Sequence, residues 1–308
     1  MTGTDAFCAL PGGIRLCYRV DGTADGDPVL LVGGIGFDLS AWPGTLVSGL
    51  TGRGLRVVRF DNRDCGRSST VDAPAPPTLR LMTGTLREAP YDLADMAGDA
   101  VGLLDHLGIG RAHVVGMSMG GMIAQTLAAR HPDRVASLTS VFSTTGHPRV
   151  GRTALSTMLM LGRPPARTRQ AAVAREVALR RHIASRGFPF DAEEARRSVT
   201  ASQARLEAGV DPRARLSRQI AAIRVSGDRT AELRRVLAPT LVVHGDDDRM
   251  VHPSGGAATL HAITGARLRI VPGMGHDFAA PLVPRIVELV GEHVRTVAAR
   301  EPAARDAP

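Results

Sequence analysis

The chain contains no lysine. All 38 of its lysine-or-arginine positions are arginine, and against 30 acidic residues they leave a formal net charge of +8. A balance this basic invites a nucleic-acid reading, but the other requirements are missing. Aromatic residues make up only 3% of the chain, so stacking platforms are scarce, and the arginines are scattered rather than gathered in one short block. Exclusive use of arginine points instead to a GC-rich coding bias, and no nucleic-acid partner is expected. Cysteine is also sparse: Cys8, Cys17 and Cys65 are odd in number, which argues against a disulfide framework. No apolar run is long enough to span a bilayer, so stable membrane insertion is not expected. The first residues, Met1 to Asp5, have neither a basic start nor an apolar signal core, and a cytoplasmic location is expected.

What is present suits a globular protein. The hydrophobic content is 44% and the charged content 22%. A chain of 308 residues can form one large domain, or one domain with an insertion. Short β-like runs alternate with helical patterns, which argues for a mostly parallel α/β sheet with helices on both faces. Strands are expected at Ile14–Arg19, Val29–Val32, Arg56–Phe60, Ala112–Val115, Val135–Phe142, Thr240–His244 and Arg267–Val271. Helices are expected at Asp95–Leu107, Met122–Ala129, Pro253–Ile263 and Pro281–Ala299. Residues 70–90, rich in proline and threonine, read as an excursion.

From about residue 146 to 236 the pattern changes. The segment is rich in alanine and arginine and reads as three to five inserted helices, broken at Pro164-Pro165, Gly187-Phe188-Pro189 and Asp211-Pro212. The expected organisation is a core over 1–145 and 237–299, the insertion over 146–236 and a frayed tail over 300–308. Half of the arginines fall between residues 149 and 235. A solvated helical surface is the simpler explanation, and an anion-attracting lid the sharper one.

Residues 116 to 121 read Gly-Met-Ser-Met-Gly-Gly, between an apolar β-branched run and a helical one. Strand, Gly-x-Ser-x-Gly, helix is the context of a nucleophile elbow. The turn is so sharp that side chains two positions either side of the serine would collide, and Gly116 and Gly120 remove that collision. Ser118 is left on a strained backbone at the start of a helix.

A serine hydroxyl needs a base to take its proton and a third group to orient that base. In open α/β sheets such groups collect at the carboxyl ends of strands. One strand end is followed by Gly245-Asp246-Asp247-Asp248 and another by Pro272-Gly273-Met274-Gly275-His276-Asp277. His276 is the candidate base. His244 reads as a packing residue in its strand, and His106, His113, His131, His252 and His261 sit on or beside element bodies. Periodicity does not choose among the three adjacent aspartates, of which at least two are expected to be solvated turn residues.

A developing oxyanion requires two backbone donors. One is the amide of Met119, after the nucleophile. The other is assigned to Ile35 in the turn Gly33-Gly34-Ile35-Gly36. That turn lacks the spacing and the Lys-Ser/Thr pair of a phosphate loop. Cys65, in a strand-end loop, reads as a packing residue.

With these residues in place the chain resembles the α/β-hydrolase superfamily over nearly its whole length. In that superfamily the acid stands three residues after the loop glycine, which points to Asp248. The inserted helices are then the superfamily's cap, placed before the Asp-bearing strand. Four stretches resemble the aclacinomycin methylesterase-like group: Arg59 to Ser68, His113 to Gly121, Ser226 to Thr230, and Pro272 to Asp277. One departure is Val32-Gly33-Gly34, where many members carry His-Gly.

The resemblance implies a carboxylic ester hydrolase acting on a small-molecule ester through an acyl-enzyme, with no metal or organic cofactor. The expected substrate is a methyl ester of a polyketide or another small hydrophobic ester. Other readings of the same residues are a cofactor-free perhydrolase or haloperoxidase, a thioesterase, and a non-catalytic receptor binding a ligand under its cap. Haloalkane dehalogenase and epoxide hydrolase chemistry would place an aspartate where Ser118 stands.

Overall fold

The computed structural model describes residues 3–163, 166–206 and 210–299. The expected break at residues 164–165 and the expected frayed tail over 300–308 lie outside these. Eight strands form one sheet: β1 (Ala6–Ala9), β2 (Arg15–Asp21), β3 (Asp27–Val32), β4 (Leu55–Phe60), β5 (Ala112–Met117), β6 (Val135–Val141), β7 (Thr240–Gly245) and β8 (Arg267–Val271). Their spatial order is β1-β2-β4-β3-β5-β6-β7-β8. β1 and β2 pair antiparallel, as do β2 and β4; every other neighbouring pair is parallel. The α/β-hydrolase architecture expected from sequence is therefore present.

Strand direction of travel reverses beside β3. The chain leaves β3 outward to β4 and returns to β5 on the other side. That reversal opens a crevice at the carboxyl ends of β3 and β5. The Gly33–Gly36 turn follows β3 and Ser118 follows β5, so both sit at this crevice.

The central strands are apolar on both faces, as a covered parallel sheet requires. Leu30 and Val32 of β3 pack with α3 (Leu93–His106) and α4 (Met119–Arg130), while Val29 and Leu31 face α1 (Gly44–Thr51) and α11 (Val283–Ala298). α4 is buried from Met119 to Ala129, so it lacks a polar face. Two elements escaped the sequence reading. β1 is only four residues long, and α1 carries Gly44, Gly49 and Val47, poor helix formers. α1 forms because it packs on α11, where a side chain at Gly49 would run into Val287. The 70–90 excursion holds the short α2 (Thr78–Thr83), and α10 (Ser254–Ala262) bridges β7 and β8. Among the described residues no helix is long and apolar enough to cross a membrane.

Between β6 and β7 lie α5 (Leu155–Leu161), α6 (Arg169–Ile183), α7 (Ala192–Ala204), α8 (Pro212–Ser226) and α9 (Thr230–Leu233). Thr168 and Asp191 cap α6 and α7, and α8 starts on Asp211 with Pro212 in its first turn. The apolar cluster between α6 and α7 is small: Val173, Val177, Ala195 and Val199. Polar ties to the core supply much of the rest.

Those ties change the reading of the arginines. Arg205 reaches Asp5, Asp38 and Asp61; Arg218 forms a two-pronged pair with Asp64. Arg215 bonds the carbonyls of Gly66 and Ser68 and the Thr70 hydroxyl. Arg215 and Arg218 are buried. These three are neither a solvated face nor a free anion lure. They lock the inserted helices onto the polar loop after β4.

Arg218→Met would strand the buried carboxylate of Asp64. A cost of about 3–5 kcal/mol is expected. The exposed control Arg196→Met should stay within about 0.5 kcal/mol of the native chain. Urea unfolding of both variants measures the difference.

Candidate active site

The elbow is a close approach of three backbones. A Cβ at Gly116 would lie closer than 3.0 Å to Gly120 O, and one at Gly120 closer than 3.0 Å to the carbonyls of Val32 and Gly33. Neither position admits any residue but glycine without a shift of main chain. Ser118 takes φ +54° and ψ −121°, a conformation that L residues rarely adopt. Its carbonyl accepts from the Gly121 and Met122 amides and from the Ser143 hydroxyl, which hold it there.

Ser118, His276 and Asp248 converge although 158 residues separate the first two. His276 Nε2 stands 3.0 Å from Ser118 Oγ, and His276 Nδ1 2.8 Å from Asp248 Oδ2. An ionised carboxylate carries no proton, so Nδ1 donates and Nε2 is left to accept. The other oxygen of Asp248 accepts the amides of Met250 and Val251, each at 2.8 Å. Burial pushes the Asp248 carboxyl up. Electrostatic attraction from the His276 ring, the hydrogen bonds of His244 and His276, and the Val251 amide outweigh that and hold it well below its ordinary value of 3.8.

The neighbouring aspartates are the solvent-facing turn residues expected from sequence, Asp246 exposed and Asp247 half-buried, and each is engaged as well. Asp246 accepts from the Gly273 amide at 2.7 Å, and Asp247 pairs with Arg186. His244 is buried, and its role extends beyond packing. Its Nε2 donates to Val251 O at 2.9 Å and lies 3.4 Å from Asp248 Oδ2, so it backs the acid loop.

The inserted helices reach the His276 loop directly. The His276 amide donates to Ile183 O at the end of α6, and the Gly275 amide donates to Ser185 Oγ. Ser185 in turn donates to Asp277 through its amide and its hydroxyl. The few aromatics gather here as well. Phe142 packs 4.6 Å from the His276 ring and 5.2 Å from Phe278, which stacks on Trp42 at 5.6 Å. Phe142 has φ +35°, a second strained residue beside the site. Sequence reasoning missed Phe142, Ser185 and Asp277. The position of Phe142 at a strand's carboxyl end was the available signal; nothing local marks Ser185.

The Gly33–Gly36 turn lies against Ser118. A Cβ at Gly34 would be 3.3 Å from Ser118 Cβ. Gln219 of α8 accepts from the Gly36 amide at 2.8 Å, the Phe37 amide closes the turn on Gly34 O, and Asn62 Nδ2 donates to Gly33 O at 3.0 Å. Among the described residues no group accepts from the amides of Ile35 or Met119. Val32-Gly33 is braced by Asn62 and by Gly120 of the elbow, and Gln219 holds the far end of the turn at Gly36.

Further out, the Ser226–Thr230 stretch supplies a buried cation. Arg229 bonds Met122 O in α4, Gln125 and Thr144 O after β6, with burial pushing its guanidinium down to about 10. It ties the elbow helix to the loop leading into the cap. Cys65 is buried and its thiol is pushed up by desolvation, in keeping with packing. Among the described residues no three His, Cys, Asp or Glu side chains stand together as metal ligands.

The family model of the alpha/beta hydrolase fold matches residues 27–279. Rhodomycin D methylesterase of Streptomyces peucetius is 30% identical over 288 residues, covering 87% of this chain and 91% of that protein. A putative carbamate hydrolase of Variovorax paradoxus is 40% identical over 126 residues, 41% of each chain. The crystal structure of a hydrolase from Pseudomonas aeruginosa superposes with a TM-score of 0.69 at 26% identity, covering 96% of this chain and 98% of that one.

Two outcomes test this geometry. Gly120→Ala should destabilise the chain by at least about 1–3 kcal/mol, because the methyl group meets backbone carbonyls that have no room to move; thermal melting reads it. Asp248 contributes stability in its ionised form, so that contribution is full above its unfolded value of 3.8 and fades as pH falls below it. The stability gap between the native chain and Asp248→Asn should be at its full width near about pH 6 and begin to narrow only below about pH 4, closing as pH falls toward the lowered folded-state value, measured by urea unfolding at each pH.

Proposed function

This chain belongs to the alpha/beta hydrolase fold family, and from that premise we propose that it hydrolyses carboxylic esters through an acyl-enzyme on Ser118. The observation that carries the reading is the unbroken relay from Ser118 Oγ through His276 to the buried Asp248 carboxylate. His276 Nε2 takes the hydroxyl proton as Ser118 Oγ bonds to the ester carbonyl carbon. Asp248 holds the ring in the accepting tautomer and stabilises the imidazolium that forms. The amides of Ile35 and Met119 receive the developing oxyanion.

The carbon–alkoxy bond then breaks, and His276 returns its proton to the departing alcohol. Water enters, gives a proton to His276, and adds its oxygen to the acyl carbon. Collapse frees the carboxylic acid and restores Ser118 with the proton held on Nε2.

Two features support an apolar acyl group. Phe142 and Phe278 crowd the His276 side of the site, and the α6 terminus closes over the same loop. The relative named as a methylesterase supports a small alcohol such as methanol as the leaving group. The substrate proposed is therefore a methyl ester of a polyketide or another small hydrophobic ester, with the helical insertion over 146–236 as the cap that shapes its pocket.

Turnover of p-nitrophenyl butyrate and of a series of methyl esters tests the proposal. Ser118→Ala should lose on the order of a million-fold in kcat. Asp248→Asn should lose on the order of ten-thousand-fold, because the ring is released from its accepting tautomer. Undiminished turnover by Ser118→Ala would overturn the reading.

A further inference from the structure

α5 is built inside out. In a surface helix the apolar stripe faces the protein and the polar one faces water. Here Leu155, Met158 and Leu159, spaced as one helical face, are 73%, 56% and 67% exposed, and the following Leu161 is 48% exposed. Thr157, a polar residue, is fully buried. The Thr157 hydroxyl donates to Arg249 O, and Ser156 and Thr157 both bond the His182 ring. The polar side of the helix is thus consumed by the protein, and the apolar side is presented outward.

The charge along this stretch of the sequence has one sign. From Arg134 to Arg175 the sequence holds seven arginines and neither aspartate nor glutamate. Arg149, Arg152, Arg163 and Arg167 flank the helix and are exposed. Arg175 turns inward instead and caps the carbonyls of Met160, Leu161 and Arg163, which fixes the end of α5.

We infer that α5 and its flanking arginines form a docking surface for an anionic lipid membrane. Exposed leucine and methionine side chains enter the acyl boundary, and the arginines meet the lipid phosphates. Charge complementarity selects this occupant. A second copy meeting the same face would set arginine against arginine, with no acidic residue in the segment to relieve the repulsion.

The attachment is superficial, in accord with the absence among the described residues of any helix able to span a bilayer. Its position has a consequence. The Ala154 amide donates to Arg249 O, and the Thr153 hydroxyl to Met250 O. The membrane-facing helix therefore hangs from the residues directly after Asp248. An apolar ester dissolved in the bilayer would be delivered beside the catalytic loops; that consequence rests on the proposed esterase reading, whereas the docking itself does not.

Flotation of the full chain with vesicles tests the docking. One set is pure phosphatidylcholine, and the other contains about one third phosphatidylglycerol. The native chain should float with the anionic vesicles at low salt, at least about tenfold more than with neutral ones, and be released at high salt. The double variants Leu155→Ser/Leu159→Ser and Arg152→Gln/Arg163→Gln should each bind about tenfold more weakly. Both should keep the native melting curve and p-nitrophenyl acetate turnover, since they replace exposed side chains. A native chain that stays unbound, or variants that bind as well as it does, would overturn the proposal. So would a native dimer in sedimentation velocity that Leu155→Ser/Leu159→Ser converts to monomer, because the face would then be a self-contact. Loss of Ser118-dependent turnover with docking intact would count against the esterase reading alone.

Discussion

The close approach of Gly116 and Gly120 to the carbonyls around them is the constraint from which the rest of the site follows. It brings the start of α4 against the end of β3, so Ser118 and the Gly33–Gly36 turn are held together. A side chain at either glycine would separate them, and with them the Ser118 hydroxyl and the Ile35 amide. The positive φ of Ser118 is the local expression of the same crowding. Strain there is sustained because α4 is buried along nearly all its length and has no alternative position.

Burial of charge is the second organising theme. A carboxylate in the interior is costly unless it is paired and hydrogen-bonded. Asp248 meets that condition with two amides and a histidine, and Asp64 with a two-pronged arginine and the Tyr91 hydroxyl. The first pairing orients the His276 ring. The second lies at the junction between the inserted helices and the sheet domain, where α8 grips the loop after β4. Because Gln219 of α8 also holds the Gly36 amide, the attachment of the inserted helices and the Gly33–Gly36 turn share one helix.

The scarcity of aromatic residues takes on meaning only in three dimensions. The single tryptophan and four of the seven phenylalanines, Phe37, Phe142, Phe188 and Phe278, belong to the apolar layer beside the catalytic loops. The inverse holds on α5, where flexible, non-aromatic side chains stand in solvent with arginines around them. One end of the molecule thus pairs a recessed aromatic site with an outward aliphatic helix.

Much of this was legible in the residues themselves. Alternation of β-branched runs with helical spacing located seven of the eight strands, because burial on both faces demands apolar runs that chemistry cannot disguise. Gly-Met-Ser-Met-Gly located the elbow, because only glycine tolerates the backbone contacts there. What the one-dimensional pattern left open was partnership. Asp246, Asp247 and Asp248 are chemically identical, and they are told apart only by the Gly273 amide, Arg186 and His276, which lie elsewhere in the chain. Arg205, Arg215 and Arg218 looked like part of a solvated surface until acids and carbonyls of distant segments closed on them. α5 read as one more inserted helix, and its outward apolar face became visible only once Thr157 was seen to turn inward. Local backbone chemistry and hydrophobic period are properties of neighbours in sequence, so the sequence alone determined the sheet, the elbow and the candidate nucleophile and base. Which charge meets which, and which face of a helix meets water, depends on contacts between remote segments, and those the tertiary structure decided.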